Sequence, residues 1–279
     1  MSYELDRQRD YYACVSNEII QKSFFSLTAQ QFDLLFYVLS MVRKEDEPGK
    51  IYSFTLKEFC EVSNKDYSNG WYYVTIKKDL KAIRDTSVYV PIEPSKNRRK
   101  REHLVAWFNK VIVDEGGNFS VRFDETIYPH IYNLIDKYTM ASRKYVLPLP
   151  TFYAKRLYLL LRSYLITPKE YLKDIDRYEI SEQEHNNRYT VTQTFEVEEL
   201  RKKLYVDRYS KYYDFRRYVL DTAIEDINKY TDIDVSLDGK TSKGSGRTIT
   251  HIKFTIKLIR WDIEREKNRY IYFNGEDIE

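Results

Sequence analysis

The chain has 279 residues, close to twice the ~150 of a typical domain, and is 42% hydrophobic and 16% aromatic, enough to fill two compact cores. Its 46 Lys and Arg nearly cancel 43 Asp and Glu, leaving a formal charge of +3, which excludes a wholly disordered acidic chain and a uniformly basic coat protein. No apolar run approaches the ~18 residues of a membrane span, the start MSYELDRQRDYYAC is charged where a secretory signal is greasy, and Cys14 and Cys60 have no CxxC partner, so a soluble protein of a reducing cytoplasm is expected.

In chain order, LTAQQFDLLFYVLSMV (Leu27 to Val42) repeats apolar residues at helical spacing behind Thr28, an N-cap candidate, and predicts a buried helix. After the breaker EDEPGK (Glu45 to Lys50), IYSFT predicts a short strand and LKEFCEVS a short helix. A longer helix follows from Trp71 to Arg84, with Tyr73, Ile76, Leu80 and Ile83 on an apolar stripe and Lys77, Lys81 and Arg84 on a positive one, Lys78 beside it. SVYVPI (Ser87 to Ile92), LVAWFNKVIVD (Leu104 to Asp114) and FSVRF (Phe119 to Phe123) predict one small antiparallel sheet, and the loop KNRRKR (Lys96 to Arg101) between the first two carries five basic residues in six. YPHIYNLIDKYT (Tyr128 to Thr139) reads as a short helix and PLP (Pro148 to Pro150) as punctuation, which places a domain junction at about residues 139 to 148. FYAKRLYLLLRSYLI (Phe152 to Ile166) predicts a helix stopped by Pro168. Glu170 to Glu199 is a net-acidic connector ending in the strand candidate TVTQTF, whereas Arg201 to Arg217 holds seven bases against two acids. A helix from Lys211 to about Lys229 is followed by two alternating strands, Ile233 to Leu237 and Thr248 to Leu258, around a Gly, Ser and Lys-rich tip, and a mixed-charge tail comes after Trp261.

Each half thus runs helix, short strand, short helix, longer helix, hairpin. SFTLKEF (from Ser53) matches TFEVEEL (from Thr194), and a Tyr-Ser pair opens the long helix in both halves (Tyr67-Ser68, Tyr209-Ser210). A short helix leading to a longer one, backed by a two-stranded wing, is the winged form of the helix-turn-helix.

In the second long helix Tyr212, Val219, Ala223, Ile227 and Tyr230 share a face at 100° per residue, flanked by Leu220 and Ile224. Ser210 is placed to cap it, Lys211, Arg216 and Arg217 crowd its first turns, and Asp221, Glu225 and Asp226 lie behind. A helix basic in front and acidic behind suits end-on insertion into a major groove, where arginine forks bond O6 and N7 of guanine. Arg217 points off the core; Arg216 falls at the angle of the apolar stripe and must overhang the core edge or be paired inside. Lys240, Lys243 and Arg247 make the hairpin tip a positive wing for the DNA backbone. For Lys77, Lys81 and Arg84 a solvated helix face competes with DNA contact, and for Arg98 and Arg99 in KNRRKR an exposed loop without a partner competes equally.

Catalytic signatures are absent from the pattern. GKT (Gly239 to Thr241) imitates the end of a phosphate loop, but Asp234 stands where the first glycine belongs and a hairpin replaces the helix. His103, His130, His185 and His251 form no HxH or HExxH pair, so neither a bound metal, nor a cofactor, nor the metal-assisted tyrosine chemistry of a rolling-circle nickase is expected.

The succession VSNEII (Val15 to Ile20), SLTAQQFDLLFYVLS (Ser26 to Ser40), Tyr138-Thr139 before FYAKRLYLLLRSY (Phe152 to Tyr164), DFRRYVLDTAIEDIN (Asp214 to Asn228) and HIKFTI (His251 to Ile256) resembles the initiator replication proteins of iteron-bearing, theta-replicating plasmids. The resemblance spans Val15 to Leu258, and DFRR followed by EDIN is its most specific part. It implies an α+β fold of two winged-helix domains related by a pseudo-twofold duplication: residues 1–140 for dimerisation and secondary DNA contact, 141–262 as the main DNA reader, and 263–279 as a tail. It implies that monomers bind origin direct repeats and help melt the duplex, that dimers bind an inverted repeat and repress their own promoter, and that host initiator, helicase and primase are recruited in a bacterial cytoplasm without DNA cleavage. Carried over, the main base contacts fall on Arg216 and Arg217, with Lys211 and Tyr213 near them, and secondary contacts on Lys77, Lys78 and Lys81. A plasmid or phage repressor of the same architecture is the alternative, and a rolling-circle nickase the rival from the enzyme class.

Overall fold

The computed structural model describes residues 11–43, 45–67, 70–91, 102–134, 137–165, 189–241 and 249–259. The chain divides into two compact units, Met1–Pro148 and Leu149–Glu279, each described by itself. In the first, β1 (Tyr12–Ser16) leads into α1 (Asn17–Lys22), and α2 (Ala29–Leu39) starts at Thr28, whose hydroxyl accepts from the Gln31 amide while the Gln31 side chain accepts from the Thr28 amide. That capping box satisfies two amides that would otherwise lack partners, so the helix starts where the hydroxyl stands. Phe32 and every residue from Leu34 to Leu39 are buried.

β2 (Tyr52–Thr55), α3 (Leu56–Val62) and α4 (Trp71–Asp85) follow, and β5 (Phe108–Asp114) and β6 (Asn118–Phe123) complete a sheet ordered β2-β6-β5. Ile76, Leu80 and Ile83 of α4 are buried, and the buried Asp79 accepts hydrogen bonds from Gln30 (2.7 Å) and Gln31 (3.1 Å). Tyr37, Phe54, Phe59 and Phe119 meet edge-on or tilted at 5.4–6.5 Å, an aromatic core between helices and sheet.

Two sequence expectations are corrected here. LVAWFNKVIVD is not one strand: it breaks at the buried Trp107, whose carbonyl accepts from the Asp124 amide (3.0 Å) and whose ring meets Phe25 edge-on at 5.2 Å. Its first half, β4 (Glu102–Ala106), pairs among the described residues with β3 (Ser87–Pro91), while β5 joins the other sheet. Tyr128 to Thr139 is not a helix either. A 3-10 turn spans Glu125–His130 behind Asp124, whose carboxylate accepts from the Thr126 amide, and Pro129 inside it cannot donate to a continuing helix. Tyr138 and Thr139 instead open β7 (Tyr138–Ser142), which ends in a serine cap before α5 (Arg143–Val146), as β1 ends in a serine cap before α1. β1 and β7 pair antiparallel, Tyr12 with Ser142, Cys14 with Met140 and Ser16 with Tyr138, so a local dyad passes through the Cys14–Met140 pair.

The second unit repeats the plan. α6 (Phe152–Arg162) is capped by Thr151 and closed by Ser163, short of the expected Ile166; Pro168 lies outside the described residues. Its neighbours are β8 (Thr190–Glu196), α7 (Val197–Lys203) and the long helical rod described below. β9 (Ile233–Thr241) and β10 (His251–Leu258) give a sheet ordered β8-β10-β9, the same first-third-second order as β2-β6-β5. The helix start also repeats: the Leu56 amide donates to Gly117 in the first unit (2.8 Å) and the Val197 amide to Thr250 in the second (2.9 Å). Both units are winged helices, and the fold is α+β. Among the described residues, no helix is long and apolar enough to cross a membrane.

Candidate nucleic-acid interface

The site rests on how α7 ends. Tyr205 takes the left-handed conformation (φ 53°), the Val206 amide reaches back to the Arg201 carbonyl (2.9 Å), and the Tyr205 amide to that of Lys202 (3.0 Å). This is a Schellman closure, which turns the chain sharply while satisfying the last carbonyls. α3 closes identically at the equivalent place, with Asn64 at φ 54° and Lys65 bonded back to Cys60 (2.8 Å).

Arg201 then organises the turn. Its guanidinium, buried on α7, donates to the carbonyls of Arg208 (3.4 Å), Ser210 (3.3 Å) and Lys211 (3.3 Å), lies 4.3 Å from the Phe215 ring centroid and pairs with Glu198 at 3.5 Å. One planar fork thus gathers three carbonyls: those of Arg208 and Ser210 lie in a turn outside any helix, and that of Lys211 also accepts the first helical bond, from the Phe215 amide (3.1 Å). Burial and the neighbouring Asp207 raise the Tyr153 hydroxyl pKa, a sign of how closely the start of α6 lies to this turn. The serine cap expected at Ser210 does not form: Lys211 occupies the cap position and no side chain caps the helix.

The rod beyond the turn is α8 (Tyr212–Phe215), a π segment (Arg216–Asp221) and α9 (Thr222–Tyr230) in direct succession. Phe215, Val219, Leu220, Ala223 and Ile227 are buried, whereas Tyr212 and Tyr230, placed on the core by 100° spacing, are part exposed. The π segment explains the puzzle at Arg216. Wider turns bring residues five apart together, so Arg216 neither overhangs the core nor enters it but meets the Asp221 carboxylate at 3.3 Å on the surface. The Thr222 hydroxyl donates to the Arg217 carbonyl across the same five-residue step (3.4 Å). Arg217 faces solvent, its guanidinium 5.4 Å from the centroid of the Tyr218 ring, and Tyr213 is 67% exposed beside exposed Lys211.

At the far end, Asn228 joins rod to wing. Its amide donates to the Val235 carbonyl (2.9 Å) and its carbonyl accepts from the Val235 amide (2.7 Å), two bonds that fasten α9 to β9. Asp232, just before β9, accepts from the Tyr158 hydroxyl (2.6 Å) and pairs with Arg162 (2.9 Å), all three buried. Lys240 sits on β9 with its backbone opposite Ile252. Lys243 and Arg247 of the tip, and Arg98 and Arg99 of KNRRKR, lie outside the described residues.

In the first unit Lys77, Lys78 and Lys81 are exposed on the outer face of α4, together with Trp71 (58% exposed) and Val74 (65%). The structure therefore leaves Lys211 exposed at the cap and Tyr213 and Arg217 exposed along the rod, exposes Lys77, Lys78 and Lys81 on α4, and pairs Arg216 with Asp221. Sequence reasoning missed the roles of Arg201 and Tyr218; it read Asp221 only as part of the acidic rear of the helix, Tyr209 only as half of a Tyr-Ser pair, and Asn228 only as the last letter of EDIN. Among the described residues, no cluster of three or more His, Cys, Asp or Glu is placed to hold a metal ion.

Two helix-turn-helix units, each backed by a three-stranded sheet of one order and showing lysines or arginines on the outer face of its long helix, define a two-domain winged-helix protein of the kind that binds duplex DNA. Residues 13–162 match the family described as Initiator Replication protein, WH1, and residues 196–256 match Initiator Rep protein, WH2. The chain belongs to the initiator replication protein family. Among solved structures it is similar to the Pi initiator protein in complex with iteron DNA, with a TM-score of 0.66 and 19% identity over 91% of this chain and 99% of that one, a likeness of fold. No curated protein matches the chain.

Proposed function

We propose that this protein initiates plasmid replication by binding directly repeated iterons in duplex DNA, helping to open the origin there. The observation that carries the reading is the outward Arg217 on a rod whose opposite side is fixed in the core, within a unit matched to the second domain of an initiator family. An arginine fork at that place bonds O6 and N7 of guanine, worth about 1–3 kcal/mol of discrimination. Residues 141–262 act as the main reader, and residues 1–140 add the secondary contact through Lys77, Lys78 and Lys81 and the surface through which the dimer forms. The dimer represses its own promoter at an inverted repeat, and the bound monomer recruits host initiator, helicase and primase in the bacterial cytoplasm. The protein binds without cutting.

The test is footprinting on the DNA flanking the gene, followed by binding to the protected repeats. Tandem direct repeats support the initiator, and a lone palindrome supports a repressor instead. Arg217→Ala should weaken specific binding by about 1–3 kcal/mol and relax one base preference, whereas Lys243→Ala should mainly flatten the dependence on salt. Relaxed circles carrying protein on a 5′ end, after incubation with supercoiled plasmid and a divalent metal, would overturn the reading in favour of a nickase.

A further inference from the structure

Three aromatic or cationic groups converge where the turn meets the rod. Tyr209, the last but one residue of the turn, holds the left-handed conformation (φ 59°), which a residue with a Cβ adopts only under strain. Its ring lies 5.3 Å from that of Tyr218, nearly parallel at 27°, and the Arg217 guanidinium sits 5.4 Å from the centroid of the same Tyr218 ring. Tyr209 is 36% exposed and Tyr218 51%, so neither is there to fill the core. The neighbouring Arg216 is occupied by Asp221 across the π turn, which leaves Arg217 as the outward arginine of the pair.

We propose that Tyr218 is the positioning residue of the reading site: steadied by Tyr209, its ring rests against the Arg217 guanidinium and presents it to a guanine edge, so that it governs base discrimination rather than overall affinity. A free arginine side chain loses much rotamer freedom when it forms a bidentate contact, and one already resting on an aromatic face loses less. The π turn serves the same end by moving Arg216 to Asp221. This inference rests on the reading of Arg217 as a base contact.

The test uses the full chain and duplexes that the wild-type protein selects from a pool with a randomised core. Each G·C pair of the selected duplex is then exchanged in turn, and a mixed-sequence duplex measures non-specific binding. Arg217→Ala should lose discrimination at one G·C pair. Tyr218→Ala should lower discrimination at that same pair by about two- to fivefold, the range of an exposed cation–aromatic contact, with non-specific binding within about twofold of wild type. Tyr218→Phe keeps the ring and should behave as wild type, Tyr218→Leu keeps bulk without a π face and should behave as the alanine variant, and unfolding curves check that each is folded. In the Arg217→Ala background the Tyr218 change should cost nothing more. Unchanged discrimination in Tyr218→Ala, equal loss on specific and mixed duplexes, or a full loss persisting without Arg217 would overturn the proposal. A wild-type protein that selects no sequence, or an Arg217→Ala variant that discriminates normally, would instead overturn the underlying reading.

Discussion

Replacing Arg201 by alanine tests the idea that one buried fork builds the turn before the long rod. The change deletes three hydrogen bonds to the carbonyls of Arg208, Ser210 and Lys211, all at 3.3–3.4 Å, and the guanidinium's place 4.3 Å from the Phe215 ring. At these long distances each hydrogen bond contributes less than the usual amount for a charged donor, about 0.5–1 kcal/mol, and the ring contact about as much as one of them. The ion pair with Glu198 adds little, because that carboxylate is 72% exposed. Together they amount to about 2–4 kcal/mol, or a fall of roughly 1–2 M in the urea midpoint at a slope near 2 kcal/mol/M. Arg201→Lys keeps the charge but has no planar fork and should recover less than half of that loss. Urea unfolding followed by far-ultraviolet circular dichroism measures the fall, and binding to a selected duplex should weaken alongside it. A midpoint within about 0.3 M of wild type for Arg201→Ala would refute the reasoning, since the turn's carbonyls would then be satisfied as well by water.

Two further predictions follow from buried polar groups. Asp232→Ala leaves Arg162 and the Tyr158 hydroxyl buried without their carboxylate, and should cost about 3–5 kcal/mol in the second unit by the same unfolding measurement. In the first unit, burial holds the His130 imidazole below its ordinary pKa, outweighing the opposite pull of Glu18, while its Nδ1 meets the Ser16 hydroxyl at 2.8 Å. The folded state therefore favours the neutral ring and the unfolded chain takes up the proton first, so stability is whole above about pH 6.5 and declines as pH falls through the folded pKa. Unfolding curves between pH 7.5 and 5 should show this slope in the wild type and a flatter one in His130→Gln.

Much of the architecture was readable because it depends on local chemistry. Thr28 with Gln31 marks the start of α2, the SFTLKEF and TFEVEEL segments mark β2-α3 and β8-α7, and alternation marks the wing strands. Most of the misreadings share a cause, a contact distant in sequence or a departure from the regular period, whereas Pro129 stood in view inside YPHIYNLIDKYT. Trp107 breaks its strand because of Phe25 and Asp124, and nothing in the run LVAWFNKVIVD announces either. Wheel arithmetic assumes 3.6 residues per turn throughout, so the π segment misplaced Arg216, Tyr212 and Tyr230. Of the site, Arg217 and Lys211 were legible as charges at the front of an amphipathic rod. Arg201 was not, because an arginine near the end of a helix carries no sign that it folds back onto carbonyls seven to ten residues later.

The paired bonds between Asn228 and Val235 have a mechanical meaning. With the rod's rear stitched to the first strand of the wing's hairpin, a tilt of one drags the other, and on the proposed reading the two would press on a double helix as a single stiff stamp rather than as independent fingers. A stamp of fixed shape would reward only duplexes whose groove and flanking sugar-phosphate ridge already lie at the matching spacing, which would let DNA contour, beyond individual bases, decide where the protein settles.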